Sequence, residues 1–169
     1  MSEEVMSLKE FKKSLCKTGL KNAKKIWYKL FKDMDAKHRK IVVDTVAKTQ
    51  GKFKDSYICL RLSKMILESP SLDEKYIPLV FETAIDLSEY DSSTADSHLL
   101  ESASIITSFG VNTYNQVTEI LKEVAEIDIH NSWDLAKDSV TILNSIGLDG
   151  YQMLANSLNK VAIKNNPDL

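Results

Sequence analysis

Ser108-Phe109-Gly110-Val111-Asn112-Thr113-Tyr114 and Ser145-Ile146-Gly147-Leu148-Asp149-Gly150-Tyr151 read as one turn written twice, 37 residues apart. The correspondence runs outward on both sides. Upstream, Ile105 and Ile106 fall on Ile142 and Leu143; downstream, Val117, Leu121, Val124 and Ala125 fall on Leu154, Leu158, Val161 and Ala162. Apolar residues at these three- and four-residue intervals predict helices on either side of each turn. In the turn itself, a glycine in the left-handed conformation closes one helix, Val111 or Leu148 folds back, and Asn112 or Asp149 accepts from the amides of the next helix. A helix-turn-helix recurring at this period is the mark of stacked hairpins, each too small to bury its own apolar face.

The same reading extends over the rest of the 169 residues. Glycine and proline are scarce, and no segment reads as a strand. Leu20, Ala23, Trp27, Leu30, Phe31 and Met34 form one stripe, opposed by Lys21, Lys25, Lys29 and Lys32. That is a basic amphipathic helix. Asp35 caps a second helix ending near Gly51, and Asp55 a third that stops at Ser69-Pro70. Ser71 and Glu74 have capping-box spacing, but Pro78 places the start of the main fourth helix near Ile77, after a short turn over 72–76, and it runs to about Tyr90. Asp91-Ser92-Ser93-Thr94 reads as a polar loop before a fifth helix that holds Leu99, Leu100, Ala103, Ile106 and Phe109, and helices over 112–126, 132–146 and 149–164 follow it. At the same offset, Ile77, Val80, Ala84 and Leu87 precede Tyr114, Val117, Leu121 and Val124, while Val43 and Ala47 precede Val80 and Ala84. The expected fold is all-α: a short right-handed superhelix of about four antiparallel hairpins, in one domain over 19–169 behind a helical extension over 1–18.

Short caps and aliphatic inner faces resemble the HEAT and armadillo class of α-solenoids. Gly110 and Gly147, Asn112 and Asp149, Tyr114 and Tyr151, and the aliphatic ladder carry that resemblance. It is one of architecture, since the proline and the Asp/Arg pair typical of HEAT units do not recur. It implies a curved helical surface that binds other macromolecules.

Charge is divided along the chain. Residues 1–55 carry a formal +8 and residues 56–169 a formal −10. Lys21, Lys24, Lys25, Lys29, Lys32, Lys37, Arg39 and Lys40 are therefore the candidate polyanion-binding residues. Three readings compete for them: a phosphate backbone held nonspecifically, an anionic membrane or acidic partner met by the Trp27 helix, and solvation of an end cap. Arg39 alone supplies no set of bidentate base contacts, so specific base reading is not expected.

Reactive chemistry is hard to find. Cys16 and Cys59 lack metal or redox spacing and read as reduced thiols of a cytoplasmic protein. No N-terminal apolar stretch resembles a signal sequence, so none is expected, and no apolar run reaches the roughly 18 residues needed to span a bilayer. His98-x-x-Glu101 places an imidazole and a carboxylate on one helical face without further ligands, so a solvated surface is the expected role. Asp128 and His130 lie in an expected loop where helix termination is the plain role. No glycine-rich phosphate loop, G-x-S-x-G elbow or H-E-x-x-H occurs, and no catalytic, metal or cofactor residue is assigned. Trp27, Tyr114, Trp133 and Tyr151 are candidate interface aromatics, although burial is the simpler expectation for each. The expected function is a non-enzymatic helical-repeat scaffold or adaptor for protein partners. The alternatives are nonspecific nucleic-acid binding through the basic segment and a helical enzyme acting on nucleic acid.

Overall fold

Among the described residues the chain forms seven α-helices and one short 3-10 helix, without a strand. The structure, a computed structural model, describes residues 7, 9, 10, 13, 32–48 and 56–166, with the backbone alone at 46, 56, 57, 59, 60 and 63. The chain divides into two compact units, Met1–Glu82 and Thr83–Leu169.

In the first unit, α1 (Ala36–Lys48) starts where the sequence places it. The His38 amide donates to Asp35 Oδ1 at 2.9 Å, which satisfies one of the open N–H groups of the first turn. Val42 and Val43 are its buried aliphatics, and Met34 before it is buried too. Helix α2 (Ser56–Glu68) buries Ile58, Leu62, Met65 and Ile66, a single stripe at helical spacing, and ends before Pro70. The short turn expected over 72–76 is present, capped from Asp73 and not from Ser71. Asp73 caps a 3-10 turn, Glu74–Tyr76, by accepting from the Lys75 amide at 3.1 Å. Helix α3 (Ile77–Tyr90) follows directly, with Pro78 in its first turn where no amide is needed. The unit boundary falls within it, and Ile77, Val80 and Phe81 before that boundary and Ala84, Ile85 and Leu87 after it are buried.

The second unit continues with α4 (Ser92–Phe109), α5 (Val111–Ile127), α6 (Ile129–Lys137) and α7 (Ser139–Asn165). Helix α5 packs against α4, α6 and α7. Its ladder Val117, Leu121 and Val124 is wholly buried, and each such side chain stabilises by about 1.5–3 kcal/mol relative to an exposed one.

Four boundaries differ from the sequence reading. The polar stretch after Tyr90 is not a loop: Asp91 is itself the cap, accepting from the Thr94 amide at 2.8 Å and the Thr94 hydroxyl at 3.1 Å. Asp128 ends α5 as expected, its amide donating to the Val124 carbonyl at 2.8 Å, but it also starts α6 without an intervening loop, accepting from the amides of His130 at 2.8 Å and Asn131 at 3.2 Å. The helix expected over 132–146 is interrupted at Asp138. There the Leu135 carbonyl, in the last turn of α6, accepts from Ser139 Oγ at 2.7 Å and Tyr151 Oη at 3.1 Å.

The fourth difference lies in the quoted turns. Gly110 has φ 88° and ψ 165°, and Gly147 has φ 68° and ψ −177°. Both φ values are positive as expected. However, ψ near 180° is not the left-handed helical value but a region essentially reserved for glycine. The chain therefore needs no separate cap residue, and Asn112 falls inside the first turn of α5, where Gly110 is the N-cap without a side-chain bond. In α7 the break is abrupt enough to redirect the helix after Ile146 while the hydrogen-bonded ladder resumes beyond it.

Candidate binding groove

Helix α5 presents Asn115, Gln116, Glu119, Ile120 and Glu123 on one face, and the redirected part of α7 brings Leu148, Asp149 and Gln152 opposite them. Together they enclose an open groove of about 340 Å³. Ile120 is buried and Leu148 half-buried, which gives the groove an aliphatic floor. Its walls carry three carboxylates and three carboxamides.

The carboxylates are differently placed. Glu119 accepts from Lys122 Nζ at 3.2 Å, and the same ammonium lies 3.8 Å from Asp86. Glu123 and Asp149 are exposed and have no ion pair among the described residues. The amides add donors as well as acceptors, with Gln152 Nε2 donating to Asn156 Oδ1 at 3.2 Å. No histidine or cysteine lines the groove. Its surface offers carboxylate acceptors, carboxamide donors and acceptors, and aliphatic area. Each exposed ion pair would contribute only about 0–1 kcal/mol, so affinity would come from several pairs together with the apolar floor.

The sequence-predicted residues are distributed elsewhere. Tyr114 and Tyr151 are both 0% exposed and are the largest enclosed side chains of the described residues, so they are core rather than interface. Trp133 goes the other way: expected to be buried, it is 41% exposed on α6, one turn after the exposed Ile129. Lys21, Lys24, Lys25, Lys29 and Trp27 lie outside the described residues. Of the remaining basic candidates, Lys37 is ion-paired with Glu74 and the Arg39 guanidinium donates to the Met34 carbonyl. Lys32 is exposed and Lys40 half-buried.

His98 overturns its expected surface role. It is fully buried, its ring centroid 5.1 Å from that of Tyr114 and its Nε2 3.2 Å from Thr118 Oγ1. Thr118 gives its one hydroxyl proton to the Tyr114 carbonyl at 3.0 Å. The imidazole must therefore be the donor through Nε2, which leaves Nδ1 as a bare acceptor, and it has no hydrogen-bond partner. Burial, with a smaller contribution from the Lys122 charge, pushes the His98 pKa down to about 3. Glu101 does not accompany the imidazole. Its carboxylate accepts from the Val140 amide at 3.2 Å and so caps the start of α7 from a neighbouring helix. Burial, helped by the Asp138 charge, raises its pKa against the lowering effect of that bond.

The groove was missed in the sequence because its halves come from segments separated by α6. The burial of His98 left a trace: Ala95, His98, Leu99, Ser102, Ala103 and Ile106 are spaced as one helical stripe, and all six are buried. Among the described residues no helix is long and apolar enough to cross a membrane, and no cluster of three or more metal-ligating side chains occurs. No protein-family model, curated protein sequence or solved structure matches the chain.

Proposed function

We propose that this protein is a non-enzymatic interaction module built on repeated helical hairpins, and that the α5–α7 groove receives a basic segment of a partner protein. The observation that carries the reading is the groove itself: an aliphatic floor between Glu119, Glu123 and Asp149, the last two without ion pairs among the described residues. Cationic side chains with long aliphatic stems suit such a surface, since the stem covers the floor while the head meets a carboxylate.

The repeat is supported by devices that recur 37 residues apart. Asp91 and Asp128 are both N-caps, Gly110 and Gly147 share one unusual backbone conformation, and Tyr114 and Tyr151 are both enclosed. Ser102 and Ser139 also correspond, each donating its hydroxyl to a carbonyl of the preceding turn.

Titration of a fluorescein-labelled lysine-rich peptide tests the groove. Binding that weakens with salt and is lost in Glu119→Lys/Glu123→Lys/Asp149→Lys supports it; equal binding by the triple variant refutes it. A second reading, nonspecific nucleic-acid binding, is favoured by the +8 charge of residues 1–55. It requires oligonucleotide affinity that falls linearly on logarithmic axes as salt rises.

A further inference from the structure

The last helical stretch of the described chain lacks the cover that its counterpart enjoys. In α5, Val124 is 0% exposed; at the corresponding place in α7, Val161 is 58% exposed. Met153 in the same stretch is 70% exposed, the highest value among the exposed large apolar residues. Around it, Asp149, Met153, Asn156, Lys160 and Ile163 are spaced by alternate fours and threes, all exposed, which is the spacing of a seam between two helices.

The charges on this seam complement themselves. Asp149 stands as far before the midpoint between Asn156 and Ser157 as Lys164 stands after it, and Met153 and Lys160 are related in the same way. None of Asp149, Lys160 and Lys164 has an ion pair among the described residues. We propose that residues 149–164 of α7 pair antiparallel with the same segment of a second copy of this chain, about a two-fold axis beside Asn156 and Ser157. In that arrangement each Asp149 meets the second copy's Lys164, and each Met153 lies along the aliphatic stem of the second copy's Lys160. The two helix dipoles run in opposite directions, and the isologous contact closes without growing into a fibre. A single helix pair falls below the area of a standard stable interface, so the dimer is weak and forms in the upper micromolar range.

The inference stands apart from the basic-segment reading, although Asp149 serves both. Sedimentation velocity over a concentration series provides the test, with circular dichroism to verify folding of each variant. The parent is expected to dimerise. Asp149→Lys and Lys164→Asp each place like charges together twice per dimer and are expected to weaken it by about tenfold. The double variant Asp149→Lys/Lys164→Asp restores the pairing and is expected to dimerise like the parent, while any binding of the lysine-rich peptide that depends on Asp149 stays lost. As a second measurement, Ser157→Cys places a thiol beside the axis. Under mild oxidation it is expected to give a covalent dimer in a background where Cys16 and Cys59 alone give none. A parent that stays monomeric at about 1 mM, or a double variant no better than the single ones, overturns the proposal.

Discussion

The imidazole of His98 is where acid reaches this fold through a single residue. Its pKa is about 3 in the folded chain and about 6.5 in an unfolded one. Above pH 6.5 both states hold it neutral and its contribution is at its maximum. Below that, the unfolded state takes up a proton that the folded state refuses, so stability is lost progressively as pH falls toward 3. Between pH 7 and 5 the loss is about 2 kcal/mol. Leucine stands 37 residues further on, at Leu135. His98→Leu should remove this part of the acid sensitivity, measured as the difference between urea unfolding at pH 7 and at pH 5; an equal loss in both proteins contradicts the assignment. The two buried tyrosines make a companion test. Tyr151 Oη is 3.0 Å from Ser139 Oγ and donates to the Leu135 carbonyl, whereas Tyr114 Oη makes no hydrogen bond of ordinary geometry. Tyr151→Phe should cost about 1 kcal/mol in thermal unfolding and Tyr114→Phe close to nothing. That both tyrosines matter was legible from their shared place in the repeated turn. That the Tyr151 hydroxyl is satisfied was not, because its partners, Leu135 on α6 and Ser139 at the start of α7, are brought to it only by the bend at Gly147.

Among the elements, the turns at Gly110 and Gly147 have the clearest physical cause. A Cβ at either position meets nothing within 4 Å, so the requirement for glycine is set by the backbone and not by crowding. Gly110→Ala and Gly147→Ala should each destabilise by about 1–3 kcal/mol in chemical denaturation, and a parental midpoint in either would show that the turn is not held as described. The sequence predicted both positions and the positive φ, but not the extended ψ. Only the packing of the flanking helices determines which of glycine's allowed regions is used. Helix starts were read best where an aspartate precedes an apolar stripe, as at Asp35. They were misread at Asp91 and Asp128, where a run of polar residues looked like loop but forms the first helical turn. The interruption at Asp138 carried no glycine or proline signal. It arises where the Ser139 and Tyr151 hydroxyls take up the Leu135 carbonyl.

For the molecule as a whole, the periodicity of apolar residues was sufficient to anticipate the helices, without a strand, of the described residues. The groove required more, since Glu119 and Glu123 on α5 meet Asp149 only after α6 and the bend at Gly147 have returned the chain to the same place. The formal −10 of residues 56–169 anticipated an acidic surface without locating it. On the reading proposed above, this surface receives a basic protein segment. Amide chemical-shift mapping of the full chain during titration with a lysine-rich peptide tests it most directly. Saturable, salt-sensitive shifts are expected at Asn115, Gln116, Glu119, Glu123, Asp149 and Gln152. Shifts confined to other surfaces, or none at millimolar peptide, would contradict it.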